Sequence, residues 1–198
     1  MRCDLCSEKP CREGNACFSC DAAALYADPE DRRMMRAASE VEAEHYGEIN
    51  RIQEIILFAQ KMGYRKLGLS FCTALSEEAS KAARILENYF SVESVNCKVC
   101  GVPKSEMDAM ESDKVGKISC NPIEQAELLN GAGTDLNILL GLCVGHDAIF
   151  IKHSQAPVVP LAAKDRVLAH NPLGALYCSA IYRRMLKEAE SRQEGNDV

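Results

Sequence analysis

The sequence predicts an α/β protein with a small Rossmann-like, doubly wound sheet. We expect about four mostly parallel strands with helices on both faces, because short apolar runs alternate with helical stretches along residues 49–188. A second feature lies outside this pattern. Five of the eleven cysteines fall within the first twenty residues, which predicts a cysteine-rich metal knuckle. The expected domains are therefore the knuckle, residues 1–27, and an α/β domain, residues 28–198.

Each element is predicted from apolar spacing and from the residues at its ends. Apolar residues recur every three or four positions from Ile49 to Met62, and Gly63 ends this core-facing helix. The following strands and helices are expected, in chain order, at Lys66–Phe71 (strand), Ser76–Tyr89 (helix), Val92–Val99 (strand), Asn121 to about Asn130 (helix), Leu136–Leu142 (strand), Val158–Ala162 (strand) and Pro172–Glu188 (helix).

Composition excludes several classes of protein. With 47% apolar residues in 198, the chain can bury a core without cysteine cross-links. No apolar run approaches the roughly 18 residues of a membrane span, and the amino terminus does not resemble a signal peptide. We therefore expect a cytoplasmic protein with reduced thiols and no membrane partner. The net charge of −6 also argues against a nucleic-acid partner.

The amino-terminal cysteines form two Cys-x-x-Cys pairs. Cys3 and Cys6 make the first pair, Cys17 and Cys20 the second, and Cys11 lies between them. One turn of this spacing presents two sulfurs to a tetrahedral metal. The donors suit zinc, but three close cysteines followed by a fourth also suit an iron–sulfur cluster. A dithiol redox pair is a further alternative.

Cysteines also follow the predicted strands at their carboxyl ends. Cys72 follows the first strand, Cys97 and Cys100 end the second, and Cys143 follows the third. In open α/β sheets, ligands bind in the crevice outside the carboxyl ends of the strands. These thiols are therefore expected to converge on one edge of the sheet. For Cys72 and Cys97, the alternative is that they are buried core residues.

Two further segments add donors to this edge. Cys120 precedes a helix amino terminus, where the helix dipole favours a thiolate, so it is a candidate ligand or nucleophile. The alternative is a cysteine that only packs beside the helix. The segment Gly141–Asp147 combines Cys143 and His146 with an aspartate. We predict a second metal site formed by Cys97, Cys120, Cys143 and His146.

Charged residues follow the fourth strand. Lys164, Asp165 and Arg166 precede His170 and Asn171, just before the last helix. This set could bind an anionic substrate or cofactor together with Cys72 and Cys97, or it could be a salt-bridged turn.

Two cysteines are less informative about the site. Cys178 falls among apolar positions of the last helix and is expected to pack in the core. Cys100 forms a Cys-x-x-Cys pair with Cys97, and this spacing alone is ambiguous.

From Cys3 to Tyr177 the chain resembles an uncharacterised prokaryotic family, domain of unknown function 1847, whose members are labelled metal-binding proteins. The matching stretches are the Cys3/Cys6/Cys11 run, Val41–Glu44 with Tyr46, Phe71–Cys72, Ser94–Lys104, Cys120–Ala126, Leu129–Asn130, Gly141–Asp147, Ala156–Pro157, Lys164–Val167, His170–Pro172 and Ala175–Tyr177. The resemblance implies metal binding and supplies no reaction or substrate.

The sequence therefore predicts a metal-binding protein, with zinc or an iron–sulfur cluster, that carries out redox or metal-dependent chemistry on a small molecule at the carboxyl edge of the sheet. Candidate catalytic residues are Cys120, Cys143 and His146. The alternative is a non-enzymatic binding module with structural zinc only. The sequence leaves open whether the protein is an enzyme, and which substrate, redox partner, amino-terminal ligand set and oligomeric state it has.

Overall fold

The computed structural model describes residues 2–194, and these divide into two compact units, residues 2–46 and 47–194. The first unit contains two short 3-10 turns, Cys3–Leu5 and Pro10–Glu13, followed by helices α1 (Ala22–Leu25) and α2 (Pro29–His45). None of the side chains in residues 2–27 is buried. The cysteine-rich segment therefore has no hydrophobic core of its own.

The second unit is the α/β fold that the sequence predicts. Its elements are α3 (Arg51–Lys61), β1 (Lys66–Phe71), α4 (Ser76–Leu86), β2 (Ser91–Asn96), α5 (Pro122–Ala132), β3 (Leu136–Leu140), α6 (Val144–His153), β4 (Val158–Ala162), α7 (Gly174–Tyr177) and α8 (Ser179–Glu194). The four strands lie in the order β2-β1-β3-β4, and all neighbours are parallel. The chain changes direction across the sheet between β1 and β3, so the ligand crevice of a doubly wound fold is expected there.

Helices cover both faces of the sheet, as predicted. On one face, apolar residues of α3 and α4, including Ile56 and Leu86, pack against Leu67 of β1 and Ile138 of β3. The opposite face is covered by α5 and α6. There Leu129 of α5 and Phe150 of α6 pack with Leu139 of β3, and the thiols of Cys72 and Cys97 belong to the same cluster. The two cysteines therefore lie on the α5/α6 face of the sheet.

Strand register aligns the ends of three strands. Phe71 of β1 pairs with Asn96 of β2 and with Leu140 of β3. The ladder continues for one more residue, since the Cys97 N–H donates to the Phe71 carbonyl (2.9 Å) and the Cys72 N–H to the Leu140 carbonyl (3.2 Å). Residues that follow the three strands therefore start at the same level of the sheet.

Several predicted elements end earlier than expected, two of them for a local reason. Strand β2 stops at Asn96, because the Asn96 side chain accepts the Lys98 N–H (2.8 Å) and turns the chain away. Strand β3 stops before Gly141, whose φ of 63° lies in the left-handed region that breaks an extended strand. Helix α4 ends at Leu86 rather than Tyr89.

The prediction of one continuous helix over Pro172–Glu188 is wrong. The segment divides into α7 and α8 at Cys178, which has extended backbone angles. For the same reason, the prediction that Cys178 packs in the core is wrong: the residue is exposed at the break. Among residues 2–194, no helix is both long and apolar enough to cross a membrane.

Candidate functional site

Three cysteine thiols meet at the carboxyl edge of the sheet. The sulfurs of Cys97 and Cys120 are 3.7 Å apart, and the Cys97 side chain is also hydrogen-bonded to that of Cys72. Cys97 is 1% exposed, Cys72 is 7% exposed, and Cys120 is half-buried. We call these three residues the thiol cluster. Its accessible member is Cys120.

Backbone hydrogen bonds hold the cluster together. The Asn121 N–H donates to the Cys97 carbonyl (2.9 Å), which ties the residue after Cys120 to the end of β2. The Thr73 N–H donates to the Cys97 sulfur (3.3 Å). Gln125 of α5 is fully buried and donates to the carbonyl of Val95 (2.9 Å), so it pins α5 to the strand that precedes Cys97.

The pKa values of the three cysteines are shifted in opposite directions. A hydrogen bond with Cys97 lowers the pKa of Cys72 to about 5, with help from the Lys164 ammonium. A hydrogen bond with Cys97, and then one with His146, lowers the pKa of Cys120 to about 4. Hydrogen bonds with Cys120 and Cys72, together with burial, raise the pKa of Cys97. The hydrogen bonds that Cys97 shares with its neighbours therefore favour a proton on the central sulfur and ionisation of the outer two.

Helix α6 brings an imidazole and a carboxyl group to the cluster. The hydrogen bond with Cys120 raises the pKa of His146, because the neighbouring thiolate stabilises the imidazolium. Burial raises the pKa of Asp147 to about 6, although the His146 charge opposes this. Cys143 is the residue before α6. The Gly141–Asp147 segment therefore supplies groups that can transfer protons near neutral pH.

A tight loop after β4 carries two cations to the same edge. The Lys164 Nζ lies 2.6 Å from the Cys72 sulfur, and the Arg166 Nη2 lies 3.2 Å from the Cys143 sulfur. These contacts join residues that are 92 and 23 positions apart in sequence. Each cation thus faces a different thiol of the edge.

Hydrogen bonds made by Asp165 and His170 hold this loop in its conformation. The Asp165 carboxylate accepts the backbone N–H groups of Val167 (2.9 Å) and Leu168 (2.8 Å). The Asp165 N–H donates to His170 Nδ1 (3.2 Å). Ala169 and His170 both have left-handed backbone angles, with φ of 49° and 61°, and such strained residues cluster at functional sites.

The structure brings together most of the residues predicted for this edge, in a different grouping. Cys97, Cys120 and His146 lie together, while Cys143 contacts Arg166. Cys72, expected at this edge as a cofactor-binding residue or, alternatively, as a core residue, is buried and belongs to the thiol cluster.

The other predicted residues lie around this grouping. Cys100 is exposed in a 3-10 turn with a φ of 66°. Asn171 enters the turn before α7, with its N–H on the Leu168 carbonyl (2.9 Å).

Sequence analysis did not single out Lys98. Its positive charge lowers the pKa of Cys120, and its Nζ donates to the Ile118 carbonyl (2.6 Å). The only signal in the sequence that could have indicated Lys98 is its position in the Cys-Lys-Val-Cys segment that follows a strand. The edge therefore has three cations within electrostatic reach of its thiolates.

The amino-terminal cysteines are five unpaired thiols. Cys6 is half-buried and Cys3, Cys11, Cys17 and Cys20 are exposed. The Lys9 N–H donates to the Cys6 sulfur (3.3 Å), a contact that suits a thiolate ligand.

The described part of the chain does not contain a preformed metal site with three or more protein ligands. Among the side chains of residues 2–189, no group of three or more His, Cys, Asp or Glu residues is placed where it could hold a metal ion. One pair does have suitable spacing: thiolates about 2.3 Å from one tetrahedral zinc ion lie about 3.8 Å apart, close to the 3.7 Å between Cys97 and Cys120. Metal ligation by the amino-terminal cysteines and at the carboxyl edge of the sheet stays a prediction.

Comparison with known proteins identifies the family. Residues 13–161 match the family model described as protein of unknown function (DUF1847). An uncharacterised protein of Methanocaldococcus jannaschii is 41% identical over 194 residues, which cover 94% of this chain and 99% of the relative. No solved structure matches the chain. The predicted resemblance is thus confirmed, and the chain belongs to the DUF1847 family.

Proposed function

We propose that this protein is a cytoplasmic metal-binding protein that carries out thiolate-dependent redox or metal-dependent chemistry on a small anionic molecule. The chemistry takes place at the carboxyl edge of the sheet. The observation that carries the proposal is the thiol cluster at the carboxyl edge of the sheet, in which Cys97 contacts Cys120 and packs with Cys72. Low-pKa cysteines beside cations are the usual reactive thiols of proteins.

Each residue of the edge has a role in this proposal. Cys120 is the accessible thiolate and acts as a nucleophile or ligand. His146, hydrogen-bonded to Cys120, donates or accepts the proton of the reacting group. Lys164 and Arg166 bind the anion, because each keeps N–H donors beyond the one that faces a thiol.

The metal is assigned to the amino-terminal cysteines. Residues 2–27 bury no side chain, and a segment without a core gains order from metal ligation. Four of Cys3, Cys6, Cys11, Cys17 and Cys20 would hold either zinc or an iron–sulfur cluster. Zinc would supply structural order there, whereas a cluster would supply electron transfer.

A second candidate function is a non-enzymatic module with structural zinc only. The contacts of Lys164 with Cys72 and of Arg166 with Cys143 favour it, because they also satisfy the two cations without a ligand. In this case the thiols of the edge are packing residues, and no small molecule reacts there.

Anaerobic purification followed by metal analysis and a visible spectrum tests the metal. Iron and sulfide with a visible absorption band would support a cluster, and one zinc per chain without a band would support zinc; a chain without metal would contradict the metal assignment. Cys120→Ser and Cys143→Ser then test the edge. Iodoacetamide should label Cys120 rapidly, and a small anion should slow this labelling. An inert Cys120 would favour the structural module.

A further inference from the structure

We propose that Cys97 and Cys120 form a reversible dithiol–disulfide pair that exchanges two electrons with a small, negatively charged disulfide. This inference rests on the proposed function and names its substrate class. Geometry carries it: the two sulfurs are already in contact at 3.7 Å, although they are 23 positions apart in sequence. A disulfide bond is about 2.05 Å long, so the sulfurs must approach by roughly 1.7 Å.

The backbone permits this approach without rearrangement of the sheet. The Asn121 N–H is bonded to the Cys97 carbonyl, so the two chain segments are in direct contact beside the sulfurs. Cys120 precedes the first residue of α5 by two positions and is not held inside a helix. Side-chain rotation at Cys120 therefore supplies most of the movement.

The difference in exposure between the two cysteines indicates which of them attacks the substrate first. Cys120 is half-buried and can meet a solute, whereas Cys97 is 1% exposed. The Cys120 thiolate attacks one sulfur of the substrate disulfide, which forms a mixed disulfide and releases a thiolate. The His146 imidazolium, hydrogen-bonded to Cys120, gives its proton to that leaving thiolate.

Cys97 completes the reaction. It loses its proton to the imidazole and attacks the Cys120 sulfur, which expels the second half of the substrate as a thiolate. In total, one thiol, one thiolate and one disulfide become a protein disulfide, one small thiol and one small thiolate. The protein is oxidised by two electrons and the substrate is reduced by two.

Charge selects the substrate. Lys164 and Arg166 lie on the loop beside Cys72 and Cys143, and the charge of Lys98 reaches Cys120. A disulfide that carries carboxylates is attracted by these three cations, and a disulfide that carries amines is repelled. Thiol chemistry alone would not distinguish the two.

The test compares two disulfides of opposite charge. Protein purified and reduced anaerobically is mixed with oxidised glutathione or with cystamine, then quenched with N-ethylmaleimide and mapped by mass spectrometry. We expect a Cys97–Cys120 disulfide, formed about tenfold faster with oxidised glutathione at low salt. Lys164→Gln should reduce that ratio, whereas Arg183→Gln, at an exposed position of α8, should leave it unchanged.

The outcomes separate this inference from the proposed function. Cys100→Ser should still form the disulfide; a Cys97–Cys100 link in the wild-type protein would overturn the assignment. Equal rates for the two probes would overturn the charge selection. If iodoacetamide labels Cys120 rapidly but no disulfide forms, this inference is wrong and the proposed function stands. If Cys120 reacts with neither reagent, both are wrong.

Discussion

Replacement of His146, whose imidazole lies beside the thiol cluster, gives the sharpest prediction about the reactivity of Cys120. His146 is hydrogen-bonded to Cys120, whose pKa is lowered to about 4. A hydrogen bond that involves a charged group contributes about 1.5–3 kcal/mol, and one pKa unit corresponds to about 1.36 kcal/mol. His146→Leu should therefore raise the pKa of Cys120 by about 1 to 2, and His146→Gln, which keeps a neutral donor, by less.

The assay is the pH dependence of labelling by iodoacetamide, quantified at Cys120 in anaerobic samples. Because only the thiolate reacts, wild-type labelling should be flat above about pH 5, where a group of pKa about 4 is already ionised. In His146→Leu, labelling should still be rising through that range and level off at higher pH. Labelling of exposed Cys178 in the same samples controls for the reagent, and labelling of Cys97, which is 1% exposed, reports unfolding. Superimposable Cys120 profiles would refute the role of His146.

Three further predictions concern stability. Phe150 is fully buried against the sheet, so Phe150→Ala should lower the free energy of unfolding in urea by about 3–5 kcal/mol; the neighbouring Ile149→Ala, at an exposed position, should cost under about 1 kcal/mol, and equal losses would contradict the packing. Gly68→Ala would place its Cβ against the buried Asn137 amide, and a loss of about 1–3 kcal/mol is expected; an unchanged unfolding midpoint would count against this contact. A chelator should speed proteolysis within residues 2–27, because they have no buried side chain to order them; digestion at the same rate with and without chelator would argue against a bound metal.

The sheet could be predicted because its signal is local and repeated. Strand Val158–Ala162 has the predicted bounds, and the alternation of apolar runs with helices indicated the parallel order. Ends of elements were predicted less well, because single side chains decide them. The Asn96 amide that turns the chain after β2 and the extended backbone of Cys178 between α7 and α8 leave no periodic pattern in the sequence.

At the edge, sequence reasoning found the residues but not all of their neighbours. Cys97 and Cys120 were expected to meet because one follows a strand and the other precedes the next helix. Contacts of Lys164 with Cys72 and of Arg166 with Cys143 depend on the conformation of the loop after β4. That conformation requires two consecutive left-handed residues, neither of which is glycine, so the sequence gives no reason to expect it.

The same loop explains how thiolate pairing and anion binding can coexist at one edge. An ammonium has three hydrogen-bond donors and a guanidinium has five, and Lys164 and Arg166 each direct one toward a thiol. Arg166 is exposed, so its remaining donors face solvent. A bound anion therefore need not displace either sulfur. Loss of the Lys164 ammonium should weaken anion binding and raise the pKa of Cys72 together, and this joint effect distinguishes a reactive edge from a packed one.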